Sequence, residues 1–467
     1  MKRIHILIIS FFIAFNLQAQ PFSLDTTFNI NYNFNYSYGG GTIYGLNYEP
    51  DGKLMIYGYF YDGNTIADIL RLFEDGSIDN TWQYPWGDGV DFLERLNNGY
   101  ITRSVCCFAK FPYNGHFSDT TWINNTLRGN ICGWFYKPYI FSDGSMLVGT
   151  DSICNIESDK KRWLMRFLPD GKVDTNFRHS TNGTTFGIVK YSPDKLLLYG
   201  GGVRGFTKYD NIPVIRLCRI DTLGNLDTTF HSIFTSGTPI PVYVQNDGKI
   251  IVCGQIGNPA VLRFIRLNAD GSLDSTFNNF NSAIGDAVVA VCPTTDGGYL
   301  IGGAFKQYQG YVRNNIAKTD INGFIDTTYF NGLGIDSVFS HNGGTPYINS
   351  IVKGNNDNYY VMGYFTHYNG VHVNPIIRIH GLSVGINEAN KENVKVYPNP
   401  ATNSITFTGI YKDFKLTIFN AIGQIVLQKK LITSNTTLNI ESFQRGMYYF
   451  QLINDKAKVI SGKFVKN

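Results

Sequence analysis

One short element recurs along the chain and limits the folds open to it. It is an Asp followed by Thr, Ser or Asn and then an aromatic residue. It appears as DTTF at Asp25, DNTW at Asp79, DTTW at Asp119, DTNF at Asp174, DTTF at Asp227, DSTF at Asp274 and DTTYF at Asp326. These seven copies stand 40 to 55 residues apart. Most are preceded by an alternating stretch containing a basic residue, as in ILRLFEDG, LMRFLPDG, FIRLNADG and IAKTDING. Further upstream lies a turn followed by an apolar run: DGKLMIYG, NNGYITR, DGSMLVG, DKLLLYG, DGKIIVCG, DGGYLIGG and DNYYVMG. Alternation of this kind reads as β-strand, and the Asp-Gly pairs read as tight two-residue hairpin turns. Each unit of about 50 residues is therefore expected to hold four strands, A to D, which is the period and content of a β-propeller blade.

The two ends of the array are complementary. The first copy, SLDTTF at 23–28, has no A, B or C strand before it. The last unit, about 347–380, carries INSIVKG, NYYVMGYF and PIIRIHG and then stops without its Asp-Thr-Phe element. A blade shared between the chain ends would supply the missing strand and leave no open sheet edge. The expected fold is all-β, a seven-bladed β-propeller over 21–381. The copy around Asn97 to Trp122 is short, so a six-bladed ring is the alternative. The stretch Arg266 to Phe277, RLNADGSLDSTF, resembles the delta-60 repeat family of bacterial surface proteins. That resemblance implies a propeller and no particular activity.

Both ends outside the array read as export signals. MKRIHILIISFFIAFNLQAQ has a basic start at Lys2 and Arg3, a short apolar run and Ala19 near its end, so residues 1–20 are expected to be a signal peptide. An N-terminal membrane anchor is the alternative. No later segment has the ~20 apolar residues a spanning helix needs. A polar linker is expected at 382–393, then a small Ig-like β-sandwich over 394–467. The motifs VYPNP (Val396 to Pro400), IFNAIGQ around Gly423, RGMYYFQL around Gly446 and the basic end at Lys463 and Lys466 resemble the C-terminal sorting domain (type A) of the type IX secretion system of Bacteroidota. The resemblance implies passage across the outer membrane, removal of this domain and attachment at the cell surface. The secretion machinery is then the implied partner.

The chain has 467 residues, with 16% charged, 15% aromatic and a formal net charge of +4. So small an excess over this length is no nucleic-acid footprint. The seven cysteines form no C-x-x-C pair, which argues against a zinc site. Cys132 with Cys154, or Cys106 with Cys107, are candidate disulfides in an exported protein. Cys218, Cys253 and Cys292 sit in apolar runs and are expected to be core thiols.

No residue is assigned to catalysis, to a cofactor or to a metal. The repeated acids Asp79, Asp174, Asp227, Asp274 and Asp326 are expected to satisfy backbone and hydroxyl donors rather than form a carboxylate site. DINGFID and NADGSLD echo calcium-loop spacing but lack the closing Glu. Arg71, Arg166, Arg216, Arg266 and Arg378 are expected to pair with the repeated acids. His367 and His372 share a loop, THYNGVH, and are weak metal candidates. The D–A and B–C connections are long and should gather on one face. They include NYNFNYSYGGG (31–41), QYPWGDG (83–89), GVRGFTKYDN (202–211), AFKQYQGYVRNN (304–315) and FTHYNGVHVN (365–374). Their Tyr, Trp, Asn and Gly content suits a glycan or protein ligand. The expected function is therefore a non-catalytic binding or adhesion module at the cell surface. A propeller hydrolase or lyase acting on polysaccharide is the alternative.

Overall fold

A computed structural model describes residues 20–467 apart from 33, 35–41, 62–65, 83–89, 105–106, 116–134, 158–159, 257–260, 280–286, 337–344, 383–394, 409–413, 422, 432–434 and 455–458. The signal-peptide segment, the Asp119 copy and nearly all of the linker fall outside the described residues. The chain divides into two compact units, one spanning Ala19–Ser383 and the other containing Val384–Asn467. Among the described residues no helix is long and apolar enough to cross a membrane.

The first unit holds, among the described residues, seven large three-stranded antiparallel sheets in chain order, besides one small sheet of three two-residue strands and two short hairpins. The first is Thr42–Tyr48, Leu54–Tyr61 and Ile66–Leu72. The second is Leu93–Leu96, Gly99–Ser104 and Cys107–Phe111. The third is Tyr139–Ile140, Met146–Glu157 and Lys160–Phe167. The fourth is Gly187–Ser192, Lys195–Tyr199 and Leu217–Asp221. The fifth is Gly237–Val244, Ile250–Ile256 and Val261–Leu267. The sixth is Val288–Pro293, Tyr299–Gly303 and Ile316–Thr319. The seventh is Tyr347–Lys353, Tyr359–Tyr364 and Ile376–Ile379. First strands of neighbouring sheets touch one another from the third sheet round to the first, so they are the inner strands.

Each sheet shares a buried apolar cluster with the next. Tyr57 and Ile69 pack with Tyr100 and Phe111 between the first and second sheets. The last sheet closes on the first through Tyr360, Met362 and Ile376 against Ile43, Ile56 and Phe60. The middle strands are thus largely apolar on both faces, which explains burial runs such as Leu196, Leu197 and Leu198, all fully buried.

The chain ends meet as the repeat requires. Leu24 bridges Ile379, and the amides of Phe22 and Asp25 donate to the carbonyls of His380 and Arg378 at 3.0 and 2.9 Å. Asp25 and Arg378 form an ion pair at 2.7 Å.

Two local expectations are corrected. In the six units where it is described, the fourth strand is reduced to one bridge, such as Leu72 to Ile78 or Leu267 to Leu273. The Asp after the bridge turns its carboxylate back onto the amide two residues on, which ends the pairing. The Asp-Gly hairpins are also one residue longer than expected. Glu49 N–H donates to Lys53 O, and Gly52 N–H donates to Glu49 O. The loop is a turn closed by a glycine at positive φ, a bulged three-residue hairpin.

The second unit holds two antiparallel sheets. One is Lys395–Tyr397, Ser404–Thr408 and Asn435–Asn439. The other orders Ile425–Leu431, Phe414–Phe419, Gly446–Asn454 and Val459–Lys466. Ile405, Phe407 and Leu438 from the first join Leu416, Ile418, Phe450 and Phe464 from the second in one core.

Candidate binding site at the inner end of the ring

The repeated Asp and Arg residues form the stitches between sheets. In the fifth sheet, Asp274 Oδ1 accepts the amide and hydroxyl of Thr276 at 2.9 and 2.6 Å. Its Oδ2 pairs with Arg266 at 2.7 Å and Lys249 at 2.9 Å. Arg266 lies over the Phe277 ring at 4.8 Å and donates to Ile321 O of the next sheet's turn at 2.9 Å. The amide of Asn278, just beyond, donates to Asn322 O on that same turn. Arg71 with Asp79 repeats the pattern at 2.8 Å, joined by Lys53 at 3.0 Å. Arg378 with Asp25 repeats it across the chain ends, reaching Glu74 O at 2.6 Å. Burial pushes Asp79, Asp227 and Asp274 upward. The hydrogen bonds from Thr, Lys and Arg outweigh it and hold all three well below the ordinary carboxylate value.

Three of the expected pairings differ. Asp227 pairs with Arg219 at 2.8 Å, not with Arg216. Arg219 stands eight residues before its Asp, as Arg71 and Arg266 do, and Arg216 is three positions out of register. Arg166 donates to Ser145 Oγ and lies over Phe141, while Asp174 accepts the amide of Asn176. Ser145 holds the place of Lys53 and Lys249, so this corner lacks its second cation. Lys318 replaces Arg in the sixth sheet and pairs with Asp296 at 2.8 Å, while Asp326 accepts Thr328 N–H.

The long connections also have structural work. Those at 202–211, 304–315 and 365–374 fold into short hairpins, Lys208–Tyr209 with Ile212–Pro213, Gln307–Tyr308 with Tyr311–Val312, and His367–Tyr368 with Val371–His372. Their Tyr209, Tyr308 and Tyr368 are buried, with hydroxyls donating to Gly224 O, Gly323 O and Phe22 O. These rings anchor the hairpins and offer no ligand surface. Phe34 of the 31–41 loop is buried against Phe60 at 5.8 Å. Segment 83–89 lies outside the described residues. His367 and His372 are cross-strand partners with rings 5.3 Å apart. Among the described residues no group of three or more His, Cys, Asp or Glu is placed to hold a metal ion. Cys218, Cys253 and Cys292 are buried and free, and burial pushes the Cys292 thiol up to about 11 and that of Cys253 up to about 12. Cys106, Cys132 and the side chains of Cys107 and Cys154 lie outside the described residues, and with them both expected disulfides.

A cleft of about 370 Å³ opens between the starts of the inner strands of the second to fourth sheets and the middle strands of the first to third. Phe92, Phe135 and Tyr57 form its apolar wall, all buried. Arg103 is 6% exposed, pairs with Asp91 and donates to Phe135 O at 3.2 Å. Burial pulls its pKa down. Lys137 pairs with Glu94 at 2.6 Å. Tyr136 meets Phe186 edge to face, with centroids 5.0 Å apart. Burial, with the charge of Asp151 added, pushes the Tyr136 hydroxyl up to about 12.

Arg103 and its neighbours are the functional candidates that sequence reasoning missed. The register places Tyr57, Arg103, Gly149, Tyr199, Cys253, Gly302 and Met362 at one level of the seven middle strands. Arg103 is the charged residue in that row, and the row itself was readable from the repeat.

Comparison with known proteins agrees with this architecture. Residues 395–467 match the secretion system C-terminal sorting domain family. Residues 49–81, 245–277 and 294–329 match the β-propeller family of unknown function DUF5122. The chain joins DUF5122 propeller repeats to a type IX sorting domain. That tail implies export to the cell surface or beyond and recognition by the type IX machinery. No curated protein matches the sequence. Among solved structures, PorZ, a surface component of the type IX secretion system of Porphyromonas gingivalis, is 11% identical with a TM-score of 0.39, covering 92% of this chain and 60% of its own. The extracellular domain of BT4673 from B. thetaiotaomicron is 9% identical with a TM-score of 0.47, covering 91% and 56%. The chain thus spans under two thirds of these neighbours, and likeness at this level informs no chemistry.

Proposed function

We propose that the protein is a non-catalytic recognition module displayed at the cell surface. In this reading residues 1–20 are a signal peptide, 21–381 a seven-bladed propeller closed by the chain ends, 382–393 a linker and 394–467 an Ig-like tail removed on export. Ligand is met at the inner cleft. The observation that carries the reading is the cleft itself. The acids and bases of the repeat are occupied as stitches, whereas Asp91, Arg103, Lys137 and Asp151 gather around an aromatic wall. Such convergence of polar groups on an apolar pocket is the usual form of a ligand site. Support for binding over hydrolysis comes from the pairing of the cleft's acids: Asp91 is engaged by Arg103 and Glu94 by Lys137.

Deletion of 394–467 tests delivery. Folded propeller should accumulate in the periplasm, and surface labelling should disappear. Unchanged surface exposure would remove the export half of the reading. Glycan and peptide arrays, run beside a polysaccharide turnover screen, test the other half. Turnover that is lost with Asp91→Asn or Asp151→Asn would establish the hydrolase or lyase instead.

A further inference from the structure

We propose that the cleft takes the end of a neutral glycan, one or two pyranose rings deep. The inference rests on the recognition reading above and adds the class of ligand.

Its first support is the buried Arg103. A guanidinium 6% exposed stands where the other sheets have Tyr, Gly, Cys or Met. Burying a charge in a strand costs several kcal/mol even when it is paired, so one charge in a row that is otherwise uncharged points to a role beyond packing. Its partner Asp91 is 42% exposed at the side chain and presents the carboxylate outward. The arginine therefore fixes the acid in place from below.

Charge balance then narrows the ligand. Arg103 is compensated by Asp91, and Lys137 by Glu94. Asp151 acts on both Arg103 and Tyr136. Among the described residues the cleft thus holds no excess positive charge for a phosphate, sulfate or uronate. An aliphatic cation would compete with Arg103 and Lys137 for the same acids. What is left is a set of donors and acceptors of both kinds, held rigid by their ion pairs. A sugar hydroxyl is donor and acceptor at once and suits such a set. Rigid partners lose little entropy on binding.

The aromatic wall supplies the other half. Tyr136 and Phe186 are half-buried, set edge to face, and lie beside Lys137 and Asp151. A ring face carries negative charge density and attracts the C–H edge of a pyranose. A volume of about 370 Å³ lies near the lower bound for ligand sites and suits a chain end better than a chain interior. Peptides are usually held through rows of main-chain groups along an open strand edge or groove. Here side chains converge on one point.

The test is titration calorimetry of the full exported chain. The probes are cellotriose, maltotriose, mannotriose and tri-N-acetylchitotriose, with trigalacturonate and trilysine as charged comparators. At least one neutral trisaccharide should bind. Tyr136→Ala should weaken it by roughly tenfold, the worth of one aromatic contact. Lys137→Ala, at an exposed position, should weaken it while the thermal transition stays in place. Absence of binding by every neutral trisaccharide would overturn the proposal, as would affinity unchanged by both variants. Preferential binding of trigalacturonate or trilysine, lost with the same variants, would also overturn it yet leave the recognition reading standing.

Discussion

Arg266→Met isolates one inter-sheet stitch. Arg266 and Asp274 are 4% and 3% exposed as residues, and their atoms meet at 2.7 Å. Removing one partner of a buried pair typically costs about 3–5 kcal/mol. Lys249 still faces Asp274 at 2.9 Å, which favours the low end. The carbonyl of Ile321 loses its donor, adding about 1–3 kcal/mol if no water replaces it. A net loss of about 4 kcal/mol is expected. For a ring of this size that is a drop of roughly 8 °C in the melting temperature. Lys172→Met is the control, because its pair with Asp170 is exposed on both sides and is expected to be worth under about 1 kcal/mol. The assay is thermal unfolding followed by circular dichroism and calorimetry. If Arg266→Met falls within about 1 kcal/mol of the control, the stitches are ornaments of the repeat and the argument fails.

Acid should act through the same groups. Asp79, Asp227 and Asp274 titrate lower in the folded chain than unfolded, so their stabilisation is present above the unfolded value of about 4 and is lost as pH falls through the folded values. Asp274→Asn should therefore cost most at neutral pH, and its gap to wild type should narrow below about pH 4; a gap independent of pH would contradict this. Deleting 20–30 removes Asp25 and the Leu24 bridge and should expose a sheet edge, lowering solubility and broadening the transition, whereas an unchanged sharp melt would refute closure. Tyr368→Phe should cost about 1–2 kcal/mol by stranding Phe22 O, measured by denaturant titration. Gly271→Ala should cost more than about 1 kcal/mol, since Gly271 has φ +89° and an added Cβ would lie 2.6 Å from His231 O.

Much of the fold was legible because one physical unit is written many times. Register errors cancel across copies, so strand order, the complementary chain ends and the separate tail all show in the sequence. What failed was local. Arg216 and Arg219 are three residues apart and would face opposite sides of an extended strand, but the strand Leu217–Asp221 is buried on both sides, so alternation does not mark which side meets the Asp. Only the eight-residue interval to the Asp, seen at Arg71 and Arg266, separates them. The fourth strand misled for another reason. Its residues carry strand-like alternation, yet Asp274 uses its carboxylate to cap the Thr276 amide, and the chain leaves to pair with the next sheet's turn. A side chain that competes for a backbone donor is invisible to a count of apolar periodicity.

The site was legible in a different sense. Composition of the long connections pointed to Tyr209, Tyr308 and Tyr368, which turn out to be hairpin anchors. Tyrosine in a loop signals either a ligand surface or a buried ring with one hydroxyl to satisfy, and sequence gives no means of choosing. The departures from the repeat were more informative than the repeat. A structural stitch must be kept in every copy, since each joint carries a share of the ring's stability. A ligand is met once, so its residues must break the pattern. Arg103 at a level otherwise held by Tyr, Gly, Cys and Met is such a break, and the cleft around it is lined by residues of four consecutive sheets. In a repeat protein, then, aligning the copies with one another is enough to separate the two roles. Positions held across copies build the ring, and under the proposed reading the singular charge at Arg103 marks where a ligand is met.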